Sequence, residues 1–164
     1  MALTTAAATA EDMERLGRRL GDALVSAAPE PDAWIVYLKG PLGAGKTTLA
    51  RGALRAFGIE GIVRSPTYTL VEDYDSPFGR LIHVDLYRIG HPGEIEFLGL
   101  DGYRDALAAM FEWPERGQGT LPAPDLEIDI DPGKDPRPVS VRGTSPRGAA
   151  LARGLGVQET FSKT

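Results

Sequence analysis

The sequence predicts an α/β fold, a domain whose mixed parallel and antiparallel central sheet is flanked by helices. Three observations predict it. A β-prone apolar run, Ala33–Lys39 (AWIVYLK), leads through a glycine-rich segment into Thr48–Phe57, where Leu49, Ala53, Leu54 and Phe57 recur at helical spacing. Two more short apolar runs, Leu81–Val84 and Leu107–Phe111, are each followed at once by an acid, Asp85 and Glu112. Finally, the strand-like Tyr68–Tyr74 is joined to Leu81–Asp85 (LIHVD) only through Ser76–Gly79 (SPFG), too short for a crossover, so these two strands must run antiparallel.

In chain order, Thr9 or a neighbour caps a helix reaching roughly Ala28, with Met13, Leu16, Leu20 and Leu24 on one stripe. Pro29 and Pro31 end it. The first strand, the glycine-rich loop and its helix follow, and Gly58 is a natural stop. Gly90–Asp105 reads as short helices with turns at Pro92 and Gly99, and a Gly/Pro-rich connection then leads to Leu126–Ile130. That stretch alternates apolar and acidic residues as a half-buried strand, with Pro138–Arg142 as its hairpin partner. There is no internal repeat. Residues 1–142 are expected to form the domain and 143–164 a C-terminal tail, partly mobile, with a short helix over Ala149–Leu155.

The segment between strand and helix, Gly40–Thr48, reads GPLGAGKTT. Gly40, Gly45, Lys46 and Thr47 fit G-x-x-x-x-G-K-[ST], the phosphate-binding P-loop, and strand–loop–helix is the setting that motif requires. Its chemistry follows from its residue types. The backbone of Gly40, Leu42, Gly43, Ala44, Gly45, Lys46, Thr47 and Thr48 can turn amide N–H groups toward phosphate oxygens, and the helix N-terminus adds its positive end. Lys46 supplies a cation for the β- and γ-phosphates, and the Thr47 hydroxyl a ligand for Mg²⁺. A P-loop also needs an acid at the end of a neighbouring strand. Asp85 and Glu112 both qualify: Asp85 is the better match to the acid that holds the metal, and Glu112 is a metal ligand or the group that orients the attacking water. Lys46, Asp85, Glu112 and Thr67 are the candidates for catalysis. Thr67 belongs to Ser65-Pro66-Thr67, about 20 residues beyond Lys46, where a switch that senses the γ-phosphate and a proline turn before a strand are equally good readings. Trp113 reads as a core residue or as an aromatic contact for a partner or nucleotide, with core favoured. His83, inside an apolar strand, reads as structural. The chain has no asparagine, so an Asn-Lys-x-Asp guanine-reading motif is absent and ATP is favoured.

Composition narrows the class. The chain has 164 residues, 42% hydrophobic and 25% charged, enough for one real core. It contains no apolar run of about 18 residues, no basic apolar leader and no cysteine, which fits a cytoplasmic protein. Net charge is −5, made of +4 in residues 132–164 and −9 before them. An acidic body is a poor surface for gripping nucleic acid alone.

The blocks GPLGAGKTT, SPTYTLVEDY, HVDLYR, EIEFLGL and FEWPERG, with PDLEI following, resemble in order and spacing those of the TsaE family from about Glu11 to Val141. The resemblance implies a bacterial cytoplasmic P-loop ATPase that binds ATP or ADP with Mg²⁺. It would act with the TsaD and TsaB proteins in forming threonylcarbamoyladenosine at position 37 of tRNA, and reach the tRNA only through that complex. It also implies that hydrolysis serves turnover of the complex, that Thr47, Asp85 and Glu112 serve the metal, and that Ser65-Pro66-Thr67 and Trp113 form a switch or partner contact. Two positions depart from the family pattern: Pro41 stands where an aspartate is usual, and Gly93 where an acid is preferred. A small-molecule kinase and a non-hydrolysing nucleotide-gated module are the alternatives. The first would need an arginine-rich lid, which Gly90–Arg104 does not offer, and the second would be indifferent to loss of Glu112.

Overall fold

A computed structural model describes residues 2–27, 32–61, 63, 66, 70–155 and 158–159. Ser65 and Thr67 of the expected switch, Pro29 and Pro31, and residues 160–164 of the expected tail lie outside them. The described residues form one eight-stranded sheet in the order β3-β4-β5-β2-β6-β7-β1-β8. Its strands are β1 (Ala2–Ala7), β2 (Trp34–Lys39), β3 (Val71–Tyr74), β4 (Leu81–Asp85), β5 (Ala108–Glu112), β6 (Leu126–Ile130), β7 (Arg137–Gly143) and the two-residue β8 (Gln158–Glu159). The central four, β4-β5-β2-β6, are parallel, while β3 and β7 flank them antiparallel and β1 continues antiparallel to β7. The expected mixed sheet is therefore present, and β3 pairs with β4 across the short SPFG turn.

Strand β1 was not legible as a strand. Its sequence, ALTTAA, is too rich in alanine for a β-prone run, and it becomes a strand by pairing along its whole length with β7, which buries Leu3 and Ala7.

Two helices, α1 (Ala10–Ser26) and α2 (Lys46–Ala56), cover one face of the sheet. The α1 start is set by Thr9, whose hydroxyl accepts from the Asp12 amide while the Asp12 carboxylate accepts from the Thr9 amide. Met13, Leu16, Leu20 and Leu24 are all buried, as the stripe predicts. The two helices meet backbone to backbone. A Cβ built on Gly17 would lie 1.9 Å from the Leu49 carbonyl oxygen, and one on Gly52 would lie 1.9 Å from that of Glu14. Neither neighbour is a side chain that can swing away. Gly52→Ala should thus destabilise the fold by about 1–3 kcal/mol despite alanine's better helix propensity, lowering the melting midpoint by several degrees. A midpoint at or above wild type would show that the helices do not approach this closely.

The opposite face is covered differently. Ile35, Ile82, Val84, Ala109 and Phe111 pack there against Leu86, Ile89 and Ile95, from the β4–β5 connection. That connection forms two 3-10 helices, Pro92–Leu98 and Leu100–Asp105, matching the short helices expected there.

The third helix, α3 (Pro146–Gly154), is pinned to the sheet by one buried acid. Asp125, immediately before β6, accepts from the Ile35 amide (3.0 Å), the Ser145 hydroxyl (2.6 Å) and the Arg147 guanidinium (2.9 and 3.0 Å). Arg147 also donates to the Asp32 and Ala33 carbonyls and lies over the Trp34 ring. Burial pushes the Asp125 carboxyl up, but the bonds from Arg147, Ser145 and Ile35 outweigh it and hold it below its ordinary 3.8. A carboxyl depressed by folding stabilises above its unfolded value and stops doing so as pH falls through its folded value. Asp125→Asn should therefore be less stable than wild type by about 3 kcal/mol near neutral pH. The gap should close as pH falls below the ordinary carboxyl range. Denaturant melts at both pH values check this, and a gap that does not change with pH would refute it.

Candidate functional site

The P-loop runs from the carboxyl end of β2 to the start of α2, and its shape depends on positive backbone φ. Gly45 precedes the helix at φ 117° and Gly43 lies at the tip at φ 75°, angles that side-chain-bearing residues rarely adopt. Gly45 thereby turns the first amides of α2 toward the mouth of a pocket of about 380 Å³. The pocket is lined by the loop, Asp85, Glu112, Trp113, Arg137 and the β1–α1 junction around Thr9 and Met13. Of the loop Gly40–Thr48, all residues from Leu42 to Thr48 line it, and Gly40 and Pro41 join it through Lys46.

Lys46 is 5% exposed and folds its ammonium back onto the carbonyls of Gly40 and Pro41, the latter at 3.1 Å. The Trp113 ring lies over it at 4.3 Å. Burial pulls the Lys46 pKa below its ordinary value, and the negative charges of Glu112, Asp85 and Glu115 work against that pull. With its cation held among hydrogen-bond acceptors at the mouth of an amide-lined loop, the site is built to meet an anion.

The two acids stand side by side. Strands β4 and β5 are parallel and in register, so Asp85 lies opposite Glu112 at the carboxyl ends of both. The side chains are 3% and 2% exposed. The Glu112 carboxylate accepts from the Thr47 hydroxyl, whose oxygen is 3.0 and 3.1 Å from its two oxygens. Glu112 Oε2 also contacts His83 Nε2 at 2.7 Å. Asp85 accepts from the Tyr87 amide at 2.9 Å. Hydroxyl and carboxylate oxygens are hard donors of the kind Mg²⁺ takes. No cluster of three or more His, Cys, Asp or Glu converges on a metal position among the described residues.

Trp113 packs against the edge of the second core cluster rather than inside it. It is half-buried at the rim, because a backbone φ of 57° turns the chain out of β5 directly after Glu112. Tyr87 packs against its ring at 5.1 Å between centroids, and the Arg116 guanidinium lies over both rings. Pro66, the described member of the expected switch, is buried and its carbonyl accepts from the Leu70 amide.

Sequence reading missed Arg137. From the start of β7 its guanidinium donates to the Gly43 and Ala44 carbonyls at 2.8 and 2.7 Å, bracing the loop tip. Nothing in the local sequence signals this, since the contact spans the sheet. Arg137→Ala should loosen the tip and weaken ADP binding by about tenfold, as calorimetry would measure. Unchanged affinity would show that the loop needs no brace.

Residues 7–139 match the model of the family described as "Threonylcarbamoyl adenosine biosynthesis protein TsaE". The chain belongs to the TsaE family. Among its relatives, a protein of Haemophilus influenzae named tRNA threonylcarbamoyladenosine biosynthesis protein TsaE is 44% identical over 130 residues, 79% of this chain and 82% of the relative. A Bacillus subtilis protein of the same name is 35% identical, covering 78% and 81%. The crystal structure of Bacillus subtilis YdiB superimposes with a TM-score of 0.74 at 27% identity, covering 94% of each chain. The family match thus takes in the β1–α1 junction, the P-loop, both acids and Arg137.

Proposed function

We propose that this TsaE-family chain is a cytoplasmic, Mg²⁺-dependent ATPase that serves the biosynthesis of threonylcarbamoyladenosine in tRNA. It acts with the TsaD and TsaB proteins, and its hydrolysis cycle drives turnover of their complex. The observation that carries the reading is the convergence of Lys46, Thr47, Asp85 and Glu112 on one P-loop mouth, with Thr47 hydrogen-bonded to Glu112. The pathway comes from the family and from the names its relatives carry.

In this reading the loop amides and Lys46 hold the β- and γ-phosphates. Thr47 with Asp85 and Glu112 would hold Mg²⁺, which when bound neutralises charge on the phosphates. Glu112 orients the attacking water and Asp85, held by the Tyr87 amide, supports the metal side. The body of the chain is acidic, so contact with tRNA runs through the partner proteins. No described helix is long and apolar enough to cross a membrane.

The test is ATP turnover by the purified protein, alone and with TsaB and TsaD of the same organism. Slow turnover alone with clear stimulation by the partners is expected. ATP that binds but is not turned over faster beside active partners would overturn the reading.

A further inference from the structure

His83 occupies the middle of β4, on the face that carries Asp85, and is completely buried. Its Nε2 lies 2.7 Å from Glu112 Oε2, the carboxylate oxygen that also lies 3.0 Å from the Thr47 hydroxyl. Its Nδ1 is buried and has no hydrogen-bond partner among the described residues. Those facts fix the ring's proton. A carboxylate accepts and cannot donate, so Nε2 carries the hydrogen in that bond.

We infer that His83 is a positioning residue for hydrolysis: its Nε2–H fixes one oxygen of Glu112 and sets the plane in which the carboxylate meets Thr47 and the pocket. The inference rests on the hydrolase reading of the site. Glu112 sits at the end of a strand with its carboxylate held by a hydroxyl and an imidazole that share one of its oxygens. Without the imidazole donor only the Thr47 hydroxyl restrains its terminal torsion, a broad and weakly restrained one. A group that must present a lone pair to water within hydrogen-bond reach loses its aim when that torsion is released. Nucleotide affinity, which depends on the loop amides and Lys46, does not need the bond. An apolar strand residue would fill the space equally well, but it could not hold the acid.

The test separates filling from holding. His83→Leu keeps the apolar volume and removes the donor, whereas His83→Gln places an amide N–H near the position of Nε2. His83→Leu is expected to lower kcat by about tenfold or more, with KM for ATP within about threefold of wild type, and His83→Gln to recover most of the loss. Wild-type kcat in His83→Leu, or a His83→Gln as slow as His83→Leu, overturns the positioning role. A wild-type protein with no turnover instead overturns the hydrolase reading, and with it any part His83 plays there. A second measurement needs no variant. The chain has two histidines, and His91 is exposed, so ¹⁵N-histidine NMR of the wild-type protein resolves the buried ring against an internal control. A proton on Nε2 of the buried ring, protected from exchange, is expected. A buried ring with no proton on Nε2 overturns the inference.

Discussion

Glu112→Ala is expected to leave nucleotide affinity within about tenfold, or ~1.4 kcal/mol, while hydrolysis falls by about two to four orders of magnitude. The asymmetry comes from where Glu112 sits. It touches the Thr47 hydroxyl and His83, whereas Lys46, expected with the loop amides to grip the phosphates, is hydrogen-bonded to the Gly40 and Pro41 carbonyls. Alanine also strips the buried His83 Nε2–H of its acceptor, a cost of about 1–3 kcal/mol that lowers stability. Glu112→Gln is the cleaner companion, since it keeps the volume and an acceptor oxygen. Calorimetric titration with ADP and a phosphate-release assay on both variants check the prediction. Wild-type turnover in either would remove Glu112 from the chemistry and favour a module that only binds nucleotide.

Lys46→Ala should behave differently, weakening binding and turnover together. A charge-assisted bond from an ammonium to a phosphate contributes about 1.5–3 kcal/mol, so affinity for ADP should fall by about ten- to a hundredfold. Fold stability should change much less, because the ammonium's partners are two backbone carbonyls at the loop mouth and the face of Trp113. The same titration with a thermal melt separates these effects. A folded Lys46→Ala that binds ADP as tightly as wild type would place the phosphates elsewhere.

The P-loop, both acids and most of the sheet were legible because each rests on local pattern. LIHVD and LEIDI are strands with the expected limits, and the Thr9 cap and the α1 stripe need only a few neighbouring residues. What escaped depends on the chain meeting itself. β1 is a strand only because β7 lies beside it, and Arg137 braces the loop from 93 residues away in sequence. His83 reads as a strand-interior residue until β5 places Glu112 against it. Trp113 is apolar enough for a core, and a positive φ in a residue other than glycine or asparagine leaves no trace in composition. The pairing of Asp85 with Glu112 lies between these cases: each acid was readable from its own strand, but their register was not.

The strand order also constrains how the chain can be made. Strand β1 is made well before its described partners β7 and β8, so Ala2 waits for Arg142. The central β2 similarly waits for β5 and β6. Such long separations raise contact order and slow folding. A nascent chain halted before Arg137 holds the complete glycine-rich loop and both acids, but it lacks the strand that covers β6 on one side and β1 on the other. Both would then present open edges, the surfaces most prone to pair with other chains. Until β7 is made, β6 and β1 keep these open edges.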